Sequence, residues 1–346
     1  MLAGAAAFAA APPPVVPGCD ESHVRSWSSF AFYPQRNLHP VQLVFLSPVF
    51  EGPELLDAGL WRWELSLAES NTVNQAGLPG PSSSLLLDVE TTRVGLRLRR
   101  GLMRGWEVGA ELPLLRRWGG FLDRPIEAVE RAVSRLNPLR RSRVRNRSRM
   151  LVVRRGQVLL DEEGSSAGVG DLVLSLAKSL RSQTAHGPAL AVRLIAELPT
   201  GSRKRWFGNG GPDLALTLSA GRAAPRYAWA VQVAAVLPSD PFPDISPSPS
   251  SRTGFPEAEA GGFFTAGAGG SWYLNSRLSV YGQLAYYGSP VSGTGFGELE
   301  RSLWELGAGM TLRLSNRASW QVGGIENLVV EPGVDFSLVS RLVLEF

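Results

Sequence analysis

The last residues of the chain, FSLVSRLVLEF at positions 336–346, decide the fold class. Successive side chains of an extended strand point to opposite faces, so a period of two separates the residues into two sets. One set is apolar and comprises Phe336, Leu338, Leu342, Leu344 and Phe346. The other set contains Ser337, Arg341 and Glu345. The alternation predicts a strand with one apolar and one polar face.

The same pattern recurs along the chain from residue 60 onward, with Gly, Pro, Asn or Ser between segments. The predicted strands cover residues 61–67, 94–98, 106–114, 172–180, 190–198, 214–220, 227–237, 264–274, 278–286, 304–314, 320–330 and 336–346. Short connections alternate with long ones, which is typical of bacterial outer-membrane barrels. We therefore predict an all-β protein, a single transmembrane antiparallel β-barrel of the outer-membrane type with about twelve strands (roughly 10 to 14).

The apolar faces are expected to point toward lipid. Tryptophans and tyrosines on these faces fall at predicted strand ends, where membrane barrels carry aromatic girdles. A soluble β-sandwich or lipocalin-like barrel would instead bury the apolar face. In either case the opposite face carries many charges, and packing those charges into a dry core would have a severe desolvation cost. A polar lumen suits this face. The predicted lumen-lining residues are Arg62, Glu64, Arg97, Glu107, Glu111, Asp171, Arg193, Glu197, Glu305, Arg313, Glu326 and Arg341.

Glu326 conflicts with this pattern, because strict alternation from Trp320 would direct its carboxylate into lipid. The two glycines just upstream, Gly323 and Gly324, can host a β-bulge, which adds a residue to one strand. We predict a bulge that reverses the alternation and turns Glu326 toward the lumen.

Composition excludes several other classes of protein. The chain has 346 residues and 44% hydrophobic composition, and no uninterrupted apolar run after the N-terminus reaches the roughly 18 to 20 residues of a membrane helix. Its formal charge is +4. Nucleic-acid binding is not predicted, because the arginines alternate with carboxylates and the basic run 135–155 contains no aromatic residue for base stacking.

The N-terminal region divides into two predicted segments before a barrel at 60–346. Residues 1–18 resemble a truncated or atypical export signal, since the run is apolar but lacks a basic start. Residues 19–59 form a plug inside the barrel or a periplasmic segment, with Asn37, His39 and Pro40 as plug candidates. Cys19 is the only cysteine, so no internal disulfide can form. Lipid attachment at Cys19 stays open beside an incidental role.

A long outer loop is predicted at 115–168. Residues 123–136 have the pattern of a short amphipathic helix, which could plug the lumen or lie on the outer rim. A run of arginines follows, and guanidinium groups bind phosphate bidentately. Arg140, Arg141, Arg143 and Arg145 are therefore candidate contacts for lipopolysaccharide.

Several short motifs occur together in order along the chain. They are Asn37-Leu38-His39-Pro40, Leu87-Asp88-Val89-Glu90, Gly105-Trp106-Glu107-Val108-Gly109, Leu112-Pro113, Gly168-Val169-Gly170-Asp171-Leu172, Glu197-Leu198-Pro199-Thr200-Gly201 and Glu326-Asn327-Leu328. From about residue 37 to the end, the chain resembles the bacterial family catalogued as domain of unknown function 3187. Asn327 stands where an acidic residue is expected. The resemblance implies an outer-membrane location and no established activity.

The sequence predicts no catalytic site, metal site or cofactor. The three histidines have no sequence neighbours spaced for a metal site or a Ser-His-acid triad. Our leading hypothesis is passive transport of a small solute through a lumen gated by the N-terminal segment or helix 123–136. The alternatives are a closed structural or surface-interaction barrel and, third, an outer-membrane hydrolase. Expected partners are outer-membrane lipid, lipopolysaccharide and the barrel-assembly machinery, the last through the strand ending in Phe346.

Overall fold

The fold is a closed barrel of twelve antiparallel strands. The computed structural model describes residues 32–77, 83–103, 105–132, 140, 144–154, 156–239, 259–328 and 333–346. The strands are β1 Trp61–Gly77, β2 Ser84–Gly101, β3 Trp106–Trp118, β4 Leu172–Arg181, β5 Ala189–Leu198, β6 Asp213–Ala223, β7 Tyr227–Leu237, β8 Phe263–Tyr273, β9 Leu278–Tyr287, β10 Leu303–Ser315, β11 Ala318–Asn327 and β12 Phe336–Glu345. Each strand pairs with its neighbours in the chain, and β12 pairs with β1, so the wall has no free edge.

Alternation of side chains gives the wall an apolar outside and a polar inside. On β6, Leu214, Leu216 and Leu218 are exposed, whereas Thr217 and Ser219 between and beside them are buried. The prediction of outward aromatic residues is also confirmed. Tyr227 stacks with Trp272, and the Lys178 ammonium lies 4.9 Å from the centre of the Trp106 ring. This position lets the lysine reach water from an apolar face.

The two ends of the barrel differ. Short connections such as 224–226, 274–277 and 316–317 lie at one end, here called the turn end, and the longer connections lie at the other, the loop end. Strands β1 and β2 run far beyond their predicted bounds at the loop end. Their outward polar residues are covered by protein there, and the Asn71 amide donates to both Glu90 and Asp123.

In the connection that follows β3, residues 119–132 fold back on the outside of the wall. Helix α1 (Asp123–Ala132) begins where predicted, and its last predicted turn lies outside the described residues. The backbone N–H groups of Phe121 and Leu122 donate to the outward carboxylate of Glu90. The helix therefore lies against the outer rim, and the hypothesis that it gates the lumen is wrong.

The remaining elements decorate the loop end. Arg149–Arg154 and Gln157–Glu163 form an outer hairpin, which pairs with the extended part of β2. Ser166–Val169 pairs with the end of β3, Glu259–Ala260 pairs with Val291–Ser292, and helix α2 (Gly297–Glu300) is a single turn. Within the described residues, none of the helices combines the length and apolar character needed to cross a membrane.

The bulge predicted next to Glu326 is wrong. The pairing of β10 with β11 runs without interruption from Ser319 to Asn327, and the only register shift on this pair lies between Arg313 and Ser315. Glu326 therefore keeps the outward parity of Trp320 and is exposed. It lies opposite Leu306, one residue from the end of β11, so its carboxylate can reach the loop end without a bulge.

Candidate functional site

The lumen contains residues 32–57, here called the plug. Its side chains contact strands on different sides of the barrel. The Gln35 amide donates to Glu305 on β10 (3.0 Å), and the Arg36 guanidinium donates to Glu111 on β3 (2.8 Å). The backbone N–H of Leu46 donates to Asp213 on β6 (2.9 Å). In the structure, residues 32–57 therefore lie inside the barrel.

The plug is mostly irregular chain. Its one regular element is the 3₁₀ turn Gln42–Val44. The motif at 37–40 builds the turn before it, since the His39 N–H donates to the Asn37 side chain (2.8 Å) and the Asn37 amide donates to Gln42. Arg117 on β3 donates to the carbonyl of Pro40 (3.0 Å). The three predicted plug residues therefore lie in the lumen near the loop end.

The wall facing the plug has two chemically different sides. One side, formed by β1, β2, β3, β5 and β12, carries ionised residues in a connected network, here called the charged side. Its arginines are Arg62, Arg93, Arg97, Arg99, Arg193 and Arg341, and its glutamates are Glu64, Glu107, Glu111 and Glu345. Six arginines and four glutamates leave this network a net charge of +2 without the plug.

Glutamates and arginines of the charged side are paired through short contacts. Glu64 accepts from Arg99 and Arg341, both at 2.8 Å, and Glu107 accepts from Arg99 and Arg193, both at 3.2 Å. Glu64 and Glu107 therefore each have more than one guanidinium partner. Such networks satisfy buried charges, whereas removal of one member leaves an unpaired charge at a cost of about 3–5 kcal/mol.

The other side of the wall, from β6 to β11, carries mainly Gly, Ala, Ser, Thr and Gln, here called the small-residue side. This composition leaves room for the bulky groups of the plug. A Cβ atom on Gly269 would lie 3.0 Å from both the Phe32 and Phe50 rings, and one on Gly267 would overlap Phe50. The two rings meet edge to face, with centroids 5.5 Å apart. Gln232 and Gln283 hold the adjoining backbone of the plug.

Glu51 is the point at which the plug joins the charged side. Its carboxylate lies 3.0 Å from Arg97 Nη2 and 3.2 Å from Arg99 Nη1, and it also pairs with Arg193. Burial alone would raise the pKa of this carboxyl, but the charges of Arg193, Arg97 and Arg99 hold it well below its usual range. Glu51 is therefore ionised and holds three arginines of two strands around one group.

Little free space remains around the plug. Two crevices are lined by plug residues and by the charged side, and each has a volume of about 20 Å³. A volume of this size holds roughly one water molecule. Where the plug meets the charged side, the described residues therefore leave no passage for a solute.

An apolar cluster, here called the cap, covers the loop end of the plug. It joins plug residues Val44 and Phe45 to the tip of β2, to the outer hairpin and to the loop that contains α2. Its buried members are Val41, Val44, Phe45, Leu85, Leu87, Val89, Met150, Val152, Leu160, Val291, Phe296 and Leu299. Burial of this many apolar side chains excludes water from the loop end of the lumen.

Ten of the predicted lumen-lining residues are buried with their side chains on the inner face. They are Arg62, Glu64, Arg97, Glu107, Glu111, Asp171, Arg193, Glu197, Glu305 and Arg341. Arg313 lies at the turn end, half-buried, and donates to the Asn316 side chain (3.1 Å). Glu326 faces outward, as described above, because the strand continues without the predicted bulge.

The predicted lipopolysaccharide contact at Arg140 is wrong. Its guanidinium is buried between the loop and the outer wall, where it pairs with Asp123 (2.8 Å) and Asp335 (2.5 Å). Arg145 is about half exposed and pairs with Glu127 (2.7 Å). Arg141 and Arg143 lie outside the described residues, as do Cys19 and the predicted export signal.

Two motifs that lie apart in the sequence meet at the loop end and have a structural role. The backbone N–H of Gly201 donates to the Asp171 carboxylate (2.6 Å), and the Thr200 hydroxyl donates to the carbonyl of Gly170 (3.0 Å). A Cβ atom on Gly208 would collide with Asp171. These contacts fasten the loop after β5 to the start of β4.

The histidines offer no catalytic arrangement within the described residues. His39 is fully buried, and burial lowers its pKa to about 3, so it is neutral at physiological pH. His186 lies exposed in a connection at the turn end, between β4 and β5. Among the residues that the structure describes, no group of three His, Cys, Asp or Glu side chains is placed to hold a metal ion.

Sequence reasoning missed the plug residues that make the strongest contacts, Gln35, Arg36 and Glu51. All three lie in irregular chain, where no periodicity assigns a side chain to a face. A signal was nevertheless present in β8, where Gly267 and Gly269 are spaced two residues apart. Two glycines on one inward face leave a space that another part of the chain must fill.

Comparison with known structures supports the fold. The COG4313 outer membrane channel from Pseudomonas putida F1 aligns with a TM-score of 0.54 and 18% identity, covering 85% of this chain and 97% of that one. The NanC porin aligns at 6% identity with a TM-score of 0.44, over 82% and 98% of the two chains. The first likeness shows a shared fold, and the second is too distant to carry an argument.

Sequence comparison identifies the family. No curated protein matches the chain closely enough to count as a relative. The family described as "Protein of unknown function (DUF3187)" matches residues 21–346, which include the whole barrel and plug. This agrees with the resemblance carried by the ordered motifs. The chain therefore belongs to the DUF3187 family.

Proposed function

We propose that this protein is an outer-membrane channel for a small solute, closed by its plug in the conformation described. One observation carries the proposal: the wall is complete without the plug. Twelve strands pair with one another around the full circumference, and β12 closes on β1. The plug can therefore move without breaking a backbone hydrogen bond between strands.

The chemistry of the interior supports the same proposal. A barrel that only had to be filled could be filled with apolar side chains, which avoid the desolvation cost of buried charges. Here the charged side of the wall carries arginines and glutamates, for example Arg62, Glu64 and Arg97. A charged lining suits a lumen that holds water and a polar solute when the plug is displaced.

The outside of the barrel supports placement in the outer membrane. Exposed leucines, valines and tryptophans surround the strands, and such a band is stable in lipid and costly in water. The fold shared with an outer membrane channel supports the same location. On this proposal, lipid and lipopolysaccharide contact the band and the loop end, with Arg145 as the described candidate for a phosphate contact. The strand β12 presents the chain to the barrel-assembly machinery.

A closed barrel with a structural or surface-binding role is the second candidate, and the cap favours it. The cap ties Val44 and Phe45 of the plug to Leu85, Met150 and Phe296 from three surface segments. If the cap does not open, solutes cannot pass, and the loop end is a rigid surface for interaction.

Single-channel recording in planar bilayers separates the two candidates. The full chain is compared with a variant that lacks residues 32–55, and the shift of each protein on electrophoresis after heating shows that the barrel has folded. We expect rare openings of the full chain and steady conductance of the folded variant. Silence of the folded variant would reject the channel and leave the closed barrel.

A further inference from the structure

The contact between plug and wall at Glu51 resembles a ligand in a binding site. Arg97 donates through both terminal nitrogens to the two carboxylate oxygens (3.0 and 3.3 Å), and Arg99 and Arg193 each donate to one of them. Paired guanidinium contacts of this kind are the usual way in which proteins recognise a carboxylate. The three arginines belong to the rigid wall, whereas Glu51 belongs to the irregular plug.

A second observation also points to a ligand. Arg193 is buried, and its Nε–H has no hydrogen-bond acceptor among the residues that the structure describes. Buried donors are nearly always paired, so an unpaired one indicates that the site has binding capacity that Glu51 does not use. The net positive charge of the charged side acts in the same direction, since it attracts anions.

We propose that Arg97, Arg99 and Arg193 form a binding site for the carboxylate of a small organic acid, and that Glu51 of the plug occupies this site in place of the solute. The inference rests on the proposed channel function and names its substrate class. An organic acid that reaches the lumen takes over the contacts of Glu51 and so favours the displaced plug.

The site suits a carboxylate better than a phosphate group. Glu107 is almost fully buried and pairs with Arg99 and Arg193 at 3.2 Å, so a negative charge already lies at the edge of the site. A phosphate dianion would place nearly two negative charges on one group beside Glu107, which raises the repulsion. A carboxylate group is planar and carries one negative charge, so it matches the Glu51 group that the arginines hold in the structure.

Glu51 competes effectively with a solute because Glu51 and the three arginines belong to the same chain. A group tethered close to its site acts at an effective concentration in the millimolar range or above. The wild-type protein therefore binds an added acid weakly. Removal of the Glu51 carboxylate while the rest of the plug remains should free the site.

The test is isothermal titration calorimetry of full-length protein in detergent with succinate, at pH 7.5 and constant ionic strength. Glu51→Ala should bind succinate at least tenfold more tightly than the wild type. Asp57→Asn is the matched control, since it removes an exposed carboxylate from the end of the same segment. We expect it to bind like the wild type. Adding Arg193→Gln to Glu51→Ala should weaken binding about tenfold to a hundredfold, as expected for charged hydrogen bonds.

Several outcomes would overturn the proposal. Equal succinate binding by Glu51→Ala and wild type would reject it, as would unchanged binding after Arg193→Gln. Tighter binding of inorganic phosphate than of succinate would reject the carboxylate assignment, and binding of putrescine would reject an anion site. If Glu51→Ala does not fold, Glu51→Gln takes its place, because it keeps the shape of the side chain. Succinate binding without conductance in the plug deletion would keep this site and reject the channel; conductance without succinate binding would do the reverse.

Discussion

Substitution of Gly267 by leucine should loosen the plug from the side of the wall. Gly267 lies on the inner face of β8, and even a Cβ atom there would overlap the ring of Phe50. Phe50 is 3% exposed and packs against Phe32, and the crevice beside the two rings, about 20 Å³, is too small to take a ring. A leucine side chain adds three more heavy atoms beyond that Cβ, and the plug must shift to make room.

The size of the effect follows from the cost of overpacking. Extra methylene groups in a filled core typically cost about 1–3 kcal/mol. If the barrel is rigid and the plug takes up the strain, the ratio of displaced to docked plug rises about 5- to 150-fold. Single-channel recording of the full chain measures this ratio as open probability. We expect openings that are rare in the wild type to become frequent.

Gly282→Leu is the matched control. Gly282 lies on the neighbouring strand β9 and faces outward, where a Cβ atom would meet no other atom within 4 Å. The same substitution there adds the same side chain without touching the plug, so open probability should stay at the wild-type level. Equal open probabilities for Gly267→Leu and Gly282→Leu would refute the idea that packing of Phe50 against the backbone of Gly267 holds the plug in place.

Two further predictions concern pH and the membrane. Burial raises the pKa of Glu54 to about 7, with Arg62 acting in the opposite direction, so the docked plug binds more protons than the displaced plug between about pH 4.5 and 7. Docking of the plug is then strongest at low pH and weakens as pH rises through 7. Open probability should therefore be higher at pH 8 than at pH 5. A Glu54→Gln variant whose open probability still differs between these two pH values would contradict this. Leu218→Arg, in the middle of β6, should destabilise the barrel by about 2–4 kcal/mol in denaturant unfolding from lipid vesicles, against about 0–1 kcal/mol for Leu237→Arg at the end of β7. Equal costs would show that the exposed face is not centred in lipid.

The strands were predictable because their signal is local. In a wall that separates two environments, successive side chains of a strand point alternately to the inside and the outside, so residue type changes with a period of two. In the segment 227–237, exposed and buried side chains alternate without exception, and the predicted and observed bounds of the strand coincide. The prediction was wrong where the environment changes within one strand. At the loop end, β1 has polar residues on its outward face, and they are buried because helix α1 and its loop cover them.

Glu326 shows a second limit of sequence reasoning. The expected bulge followed from placing its carboxylate in the middle of the membrane. The structure places it next to the end of β11, where an outward charge can reach the loop end. Its depth depends on how all twelve strands are staggered, and no single strand contains that information.

By itself, the sequence determined the membrane barrel, the number of strands, the inward placement of most charged residues and the existence of an N-terminal segment outside the wall. Only the tertiary structure decided that this segment is a plug, that helix α1 lies outside the barrel, and that Glu51 joins Arg97, Arg99 and Arg193. The physical reason is the range of the interactions. Alternation is set between neighbouring residues. The plug is instead held by side chains on strands that are far apart in sequence, and those strands face a common lumen only when the barrel closes.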